Sequence, residues 1–195
     1  LTLLFVVIYS MTSFAQGYQV GDKAKNFQLK NIDGKMIALS DYSDEKGLVV
    51  IFTCNHCPYS VAYEDRIIAL DKKYKELGFP VVAINPNDPV SYPEDSFENM
   101  KIRAQEKGFT FPYLFDKNQD VFPVYGAKKT PHVYLLENRE DAFYVAYIGA
   151  IDDNSKDADA VAETYLANAI DALLAGVRPN PSLTKAVGCS IKVKK

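Results

Sequence analysis

A chain of 195 residues has room for one domain of ordinary size, about 100–200 residues, and not for two. Hydrophobic residues make up 48% and charged residues 24%, with only 10 Gly and 10 Pro, which argues against a disordered, collagen-like or disulfide-dense chain. The formal net charge of -3 supplies no basic field to hold a phosphate backbone, so no nucleic-acid partner is expected. The three cysteines cannot all pair within one chain, which leaves at least one as a free thiol, a metal ligand or a transient partner in exchange.

The chain opens on an apolar run, Leu1-Thr2-Leu3-Leu4-Phe5-Val6-Val7-Ile8-Tyr9, followed by the small-x-small step Ser13-Phe14-Ala15. This pattern fits a secretory signal that lacks its initiator Met and basic first region, so residues 1–15 are expected to be signal and the mature chain to begin near Gln16. A buried first strand is the alternative, because a short apolar run cannot be typed by periodicity. The run is shorter than the about 20 residues a membrane helix needs, so a membrane is expected as partner only if the segment belongs to an uncleaved anchor. Export to a periplasm or the exterior would put the cysteines where disulfides persist.

Phe27-Gln-Leu29 and Met36-Ile-Ala-Leu39 flank the turn Asn31-Ile-Asp33-Gly34 and predict a hairpin. Leu48-Val-Val-Ile-Phe52 is a continuous β-branched run, the pattern of a strand buried on both faces. It leads directly into Thr53-Cys54-Asn55-His56-Cys57-Pro58. Tyr63, Ile67, Leu70, Tyr74 and Leu77 then form the apolar stripe of a helix closed by Gly78. Asp71 with Lys75 and Lys72 with Glu76 sit four apart and predict a charged, exposed face. Val81-Val-Ala-Ile84 is a second buried strand, so residues 48–84 make one strand-helix-strand unit with a parallel, right-handed crossover.

Residues 85–93, dense in Asn, Asp and Pro, predict a loop, and Phe97, Met100 and Ala104 a helix that stops at Gly108. A short strand over 111–115 and a brief helix over 119–125 follow. Thr130-Pro131-His132 opens the strand Val133-Tyr-Leu-Leu136, and the polar residues 137–141 turn it into residues 142–148, a hairpin at the sheet edge. Val161, Tyr165, Leu166, Ala169, Ile170 and Leu173 stripe a last helix, closed by Gly176 and Pro179. Asp33, Asp41 and the Asp152-Asp153 pair lack the spacing of an acid/base pair or a calcium loop and read as turn residues.

The chemistry lies in Cys54-x-x-Cys57, which follows a buried strand and opens a helix. Placed at a helix start, the first thiol meets unpaired amides and the positive end of the macrodipole, which favour the attacking thiolate. Two intervening residues bring the thiols close enough to bridge, with the second sheltered as the resolving partner. By themselves the residues also admit a permanent structural disulfide or half of a zinc site, although no second CxxC or His cluster is present.

Strand, CxxC, helix, strand, then Thr130-Pro131 before an antiparallel hairpin resembles the thioredoxin-like fold, an α/β architecture with a central mixed sheet flanked by helices. More narrowly, Phe52-Thr-Cys-Asn-His-Cys-Pro-Tyr59, Tyr92-Pro-Glu-Asp-Ser96, Phe111-Pro-Tyr-Leu114 and Gly188-Cys-Ser-Ile-Lys192 resemble the redoxin, or peroxiredoxin-like, branch (the alkyl hydroperoxide reductase and thiol-specific antioxidant type). The resemblance implies a domain over residues 16–180, with 181–195 as a tail carrying Cys189. It implies a cis-proline at Pro131 facing a redox-active Cys54–Cys57 disulfide, and a Thr130 backbone offered to an extended substrate. Cys54 would attack and Cys57 would resolve. Partners would be protein or small-molecule thiols and disulfides, with a thioredoxin-type protein as a reducing donor, and neither a cofactor nor a metal is expected.

Departures from the pattern are informative. Thr53 stands where many thioredoxins have Trp, and Leu48 occupies the position of their buried acid, so any aid to proton transfer must come from elsewhere. If Cys57-Pro58 matches a peroxidatic cysteine, the Thr three residues before it is replaced by Cys54, which leaves a peroxidase pocket incomplete. His56, between the cysteines, is expected to stabilise the Cys54 thiolate and make the disulfide more oxidising. Cys189 is either inert or a resolving cysteine, and Lys192, Lys194 and Lys195 a solvated tail. The expected function is thus an exported thiol-disulfide oxidoreductase. A thiol peroxidase using Cys57 or Cys54 with Cys189 resolving is one alternative, and a Cu or Zn module built on Cys54, Cys57, His56 and His132 is another.

Overall fold

The computed structural model describes residues 17–140 and 142–195; residues 1–15, expected to be a signal, lie outside them. Two faces of one buried strand organise the rest. The strands are β1 (Gln28–Asn31), β2 (Met36–Ala38), β3 (Gly47–Phe52), β4 (Val81–Asn85), β5 (Tyr113–Phe115), β6 (Lys129–Thr130), β7 (His132–Arg139), β8 (Ala142–Gly149) and β9 (Cys189–Ser190). Seven of them form a mixed sheet in the order β2-β1-β5-β4-β3-β7-β8, while β6 and β9 pair separately. All six residues of β3 are buried. The strand pairs parallel with β4 from Val49↔Val81 to Phe52↔Ile84, and antiparallel with β7 from Gly47↔Glu137 to Phe52↔His132.

The helices are α1 (Pro58–Tyr74), α2 (Phe97–Lys107), α3 (Phe122–Tyr125) and α4 (Tyr165–Leu174). Because successive strand side chains alternate between faces, Val49 and Ile51 pack with Tyr63 and Ile67 of α1, Met100 of α2 and Ile170 of α4. Leu48, Val50 and Phe52 pack on the other face with Phe27, Phe122 and Tyr125. Each such side chain contributes about 1.5–3 kcal/mol when fully buried. Gly47 is required where β3 begins, since a Cβ there would lie 2.3 Å from the Phe79 ring and 2.4 Å from the Leu136 carbonyl oxygen. Among the described residues, no helix is long and apolar enough to cross a membrane.

The elements expected from the sequence are present, with four corrections. Asp71, assigned to an exposed charged face of α1, is buried; its carboxylate accepts from Val81 N at 3.0 Å and Thr110 Oγ1 at 2.6 Å, tying the helix to the start of β4 and to the segment before β5. Leu77, placed on the apolar stripe, is exposed because the chain tightens into a 3₁₀ turn over Lys75–Leu77. Strand β7 runs on to Arg139, since Glu137 and Asn138 take edge pairings with Tyr144 and Phe143 of β8. Val161 precedes α4. Asp152 does lie in a turn, but it is buried, accepting from Tyr63 Oη at 2.7 Å and pairing with Arg66 Nη1 at 2.6 Å.

Candidate redox site

Where β3 ends, Thr53 still donates its N–H to Ile84 O at 2.9 Å, and the chain then crosses the sheet edge through Cys54-Asn55-His56 to Cys57. Helix α1 begins at Pro58, which needs no N–H partner in the first turn. Cys57 is therefore the N-cap residue, with extended φ and ψ of -66° and 122°, and it is Cys57 rather than Cys54 that stands at the helix start. Both thiols are unbridged and buried, Cys54 at 2% exposure and Cys57 at 0%.

Thr130, the residue before the cis Thr130–Pro131 bond, meets both sulfurs. The Cys54 thiol donates to Thr130 Oγ1 at 3.3 Å and the Cys57 thiol to Thr130 O at 3.1 Å. Of the expected site members, Cys54 and Cys57, from the segment between β3 and α1, thus meet Thr130 of β6, with His56 close to Cys54 and Thr53 and Pro131 next to them in the chain. One expectation changes: the Thr130 backbone edge is not open to a substrate strand, because β9 of the same chain pairs with it, Thr130 opposite Cys189.

The two thiols differ in their acidity. Contact with Cys54 holds Cys57 well below the ordinary thiol range, with further support from Cys189 and the Ser60 N–H, against the opposing effect of burial. The Cys54 thiol is pushed up, first by its contact with Cys57, then by burial and by the Asp95 carboxylate. When the pair ionises, the negative charge therefore goes to Cys57, at the amide-rich end of α1, and its donation to Thr130 O belongs to the protonated form.

Asp95 was missed by sequence reasoning. It ends a 3₁₀ turn over Pro93–Asp95, and its side chain is wholly buried. Oδ1 accepts from Asn55 N at 2.8 Å, while Oδ2 accepts from Asn87 Nδ2 at 2.7 Å and lies 2.6 Å from His56 Nδ1. A carboxylate oxygen of Asp95, His56 Nδ1 and Cys54 Sγ all lie within 4.8 Å of one another. Leu48 is buried in β3, and a buried carboxylate comes close to the Cys54 sulfur from a different part of the chain, at Asp95. Asn55 adds its Nδ2 to Glu94 O at 2.8 Å and accepts from Tyr113 Oη at 2.9 Å. The His56 ring stacks on Tyr92 with centroids 5.3 Å apart. Only the Tyr92-Pro-Glu-Asp-Ser96 motif pointed to this segment, and nothing in its pattern distinguishes a site carboxylate from a turn residue.

The metal-binding alternative loses a ligand in this geometry. His132 sits on β7, where its Nδ1 accepts from Lys128 N at 3.3 Å, and it is outside the Cys54, His56 and Asp95 group. Within that group, His56 Nδ1 and both Asp95 oxygens already serve one another and the Asn55 and Asn87 donors, so an ion would have to displace hydrogen bonds already made. Cys189 is brought beside the pair: half-buried on β9, it stands opposite Thr130, whose carbonyl meets the Cys57 sulfur, and it helps to hold the Cys57 thiol low.

Comparison with known proteins agrees with this architecture. The sequence profile of the AhpC/TSA family matches residues 20–147. The thiol-disulfide oxidoreductase ResA of Halalkalibacterium halodurans is 29% identical over 118 residues, which span 60% of this chain and 62% of that protein. The crystal structure of an uncharacterized conserved protein from Geobacillus kaustophilus is 39% identical, with a TM-score of 0.82 over 90% of this chain and 93% of the other. The thioredoxin domain of a thiol-disulfide oxidoreductase from Bacteroides vulgatus, at 17% identity, superposes with a TM-score of 0.56 over 68% of this chain and 91% of that one. This last likeness is one of fold, and the fold is thioredoxin-like, as expected from the order of elements.

Proposed function

We propose that this chain, which belongs to the AhpC/TSA family, is a thiol-disulfide oxidoreductase whose working groups are Cys54 and Cys57. The observation that carries the reading is the pair itself: two unbridged thiols at the head of α1, both within hydrogen-bonding reach of Thr130, with acidities pushed in opposite directions. A permanent structural bridge has no use for such a difference, whereas exchange needs one sulfur as thiolate and the other holding its proton until it closes the ring. In the reducing direction the pair gives two electrons to a substrate disulfide. Cys54 and Cys57 become joined, and two substrate thiols leave with the two protons. In the oxidising direction the same steps run backwards.

Peroxiredoxins carry, beside their peroxidatic cysteine, an arginine from a distant strand, and disulfide exchange is favoured over peroxide reduction here by where the arginines go. Arg66 pairs with Asp152, Arg103 with Glu64 and Arg139 with Glu137, while Arg178 is exposed after α4. The position three residues before Cys57 is a second thiol in place of the threonine a peroxidatic site uses. We further propose export, on the strength of the signal-like residues 1–15, and protein or small-molecule thiols and disulfides as partners, including a thioredoxin-type donor.

The test measures reduction of a disulfide-bonded protein by the reduced chain, alongside hydrogen peroxide consumption. Reduction that disappears in Cys57→Ser and in the double variant Cys54→Ser/Cys189→Ser is the expected result. Full activity in either variant overturns the assignment, and peroxide consumption far above that of a free thiol moves the chain to the peroxidase reading.

A further inference from the structure

The proposed exchange leaves a question of access. A disulfide is broken by in-line attack of a sulfur on a sulfur, yet Cys57 is wholly buried and Cys54 is 2% exposed. The chain's own C-terminal segment lies against Thr130, the residue whose carbonyl meets the Cys57 sulfur. Strand β9 pairs antiparallel with β6 in the register Lys129↔Ser190 and Thr130↔Cys189. Gly188 lies so close to the Thr130–Pro131 peptide that a Cβ would fall 2.2 Å from Thr130 O and 3.1 Å from Pro131 N.

This segment is firmly held and not a solvated tail. Ile191 is buried in the core face lined by Phe52 and Phe122, and its N–H reaches Lys128 O at 3.3 Å. Lys192 N donates to Asn87 Oδ1 at 2.8 Å, and Lys192 O accepts from Asp88 N at 2.9 Å and Gln119 Nε2 at 2.8 Å. Lys194 N donates to Gln119 Oε1 at 2.8 Å. Anchors on both sides fix the position of the one residue between them that carries a sulfur. Of the three cysteines, Cys189 alone is partly open to solvent.

We propose that Cys189 is a third exchange cysteine, which carries the disulfide between the buried Cys54–Cys57 pair and substrates outside by forming an alternative Cys57–Cys189 bond within the same chain. The inference rests on the exchange function proposed above. In the reducing direction, Cys189, whose thiol is held above the ordinary range by burial and by Cys57, passes its proton by way of the Cys57 thiolate to the departing substrate sulfur as it attacks a substrate disulfide, so that one substrate thiol is released and Cys57 is a thiolate again. Cys57 then attacks the Cys189 sulfur, so that the Cys57–Cys189 bond forms as the bond to the substrate breaks and the second substrate thiol leaves. Finally Cys54 attacks Cys57: the Cys54–Cys57 bond forms, the Cys57–Cys189 bond breaks, Cys54 gives up its proton and Cys189 takes one. The last step is a thiol–disulfide exchange within the chain and needs no oxidant or reductant. Run in reverse, a substrate thiolate attacks Cys189 and expels Cys57, the best leaving group of the three because its thiolate is the one stabilised by its surroundings.

The experiment oxidises full-length reduced protein with oxidised glutathione, blocks remaining thiols and maps disulfides by mass spectrometry. Wild type is expected to show both Cys54–Cys57 and Cys57–Cys189. Cys54→Ser is expected to trap Cys57–Cys189 within monomeric chains, and Cys57→Ser to form neither bond. Gly188→Ala, which forces β9 away from Thr130, serves as a second variant with all three thiols intact. It is expected to keep Cys54–Cys57 and lose Cys57–Cys189 by about tenfold or more, as Cys189 is carried away from Thr130 and the Cys57 sulfur. A Cys54→Ser protein with native circular dichroism that yields only glutathione adducts or interchain dimers overturns the relay. So does wild type that forms Cys54–Cys57 and reduces substrates at the same rate with Cys189→Ser, a result that leaves the exchange function standing. If wild type forms neither intrachain disulfide, the exchange function itself falls, and the relay with it.

Discussion

His56 Nδ1 lies 2.6 Å from Asp95 Oδ2, so that an imidazole about one-quarter exposed is held by a carboxylate with no exposure at all. The same carboxylate takes the Asn55 N–H and the Asn87 amide, which makes it the joint between the segment carrying the cysteines and the loop after β4. It also disfavours ionisation of Cys54. Asp95→Asn removes the charge while keeping the shape. The expected outcome is a loss of about 1–3 kcal/mol in urea unfolding, as for a buried polar group deprived of a partner, together with a Cys54 that ionises at lower pH, read by mass-resolved alkylation. An unchanged Cys54 profile would show that the carboxylate does not act on this sulfur.

Asp71 distinguishes a surface ion pair from a structural carboxylate. As one half of an exposed pair with Lys75, its replacement would cost about 0.3–0.5 kcal/mol. As the buried acceptor for Val81 N and Thr110 Oγ1, its replacement by Ala strands a backbone donor at the start of β4 and should cost about 2 kcal/mol or more. Lys75→Ala should change little. Equal, small effects of the two substitutions in denaturant unfolding would return Asp71 to the surface.

That case also shows how far the sequence carries. Strand β3, helix α1 and strand β4 were legible because a run such as Leu48-Val-Val-Ile-Phe52 has one physical solution, burial on both faces. Cys54 and Cys57 were legible because local order along the chain sets their spacing. Asp71 and Asp95 were not, since a carboxylate looks the same in sequence whether it meets water or a backbone amide contributed by a segment far along the chain. The position of Cys189 was illegible for a related reason. Its pairing with Thr130 joins positions far apart in the chain through two-residue strands, too short to show any periodicity.

His132 is held neutral, with its pKa pushed down to about 4, chiefly by burial and then by Lys128. In the unfolded chain a histidine titrates near about 6.5. Between these values the unfolded state binds the extra proton, so stability is fully present above pH ~6.5 and falls as the pH drops toward ~4. Replacing His132 with Gln, which cannot charge, should flatten this part of the curve of unfolding free energy against pH. A variant that keeps the full acid loss would assign it to other groups.

The ionisation of Cys57 separates the two assignments of the attacking sulfur. A helix start at Cys54 would make Cys54 the thiolate, whereas the observed N-cap at Cys57 and the contacts with Cys54, Cys189 and the Ser60 N–H place the charge on Cys57. Reduced wild type should then show one thiolate per chain, by ultraviolet absorbance, persisting well below the about 8.5 of an ordinary thiol. Acidification through the depressed value should remove the absorbance and the exchange rate together, since only the thiolate attacks. Cys57→Ser should abolish the low-pH signal. Cys54→Ala should keep it but move it to higher pH, because contact with Cys54 is the largest influence lowering Cys57. A low-pH signal that survives in Cys57→Ser and vanishes in Cys54→Ala would return the thiolate to Cys54, and with it the order of attack expected from the sequence.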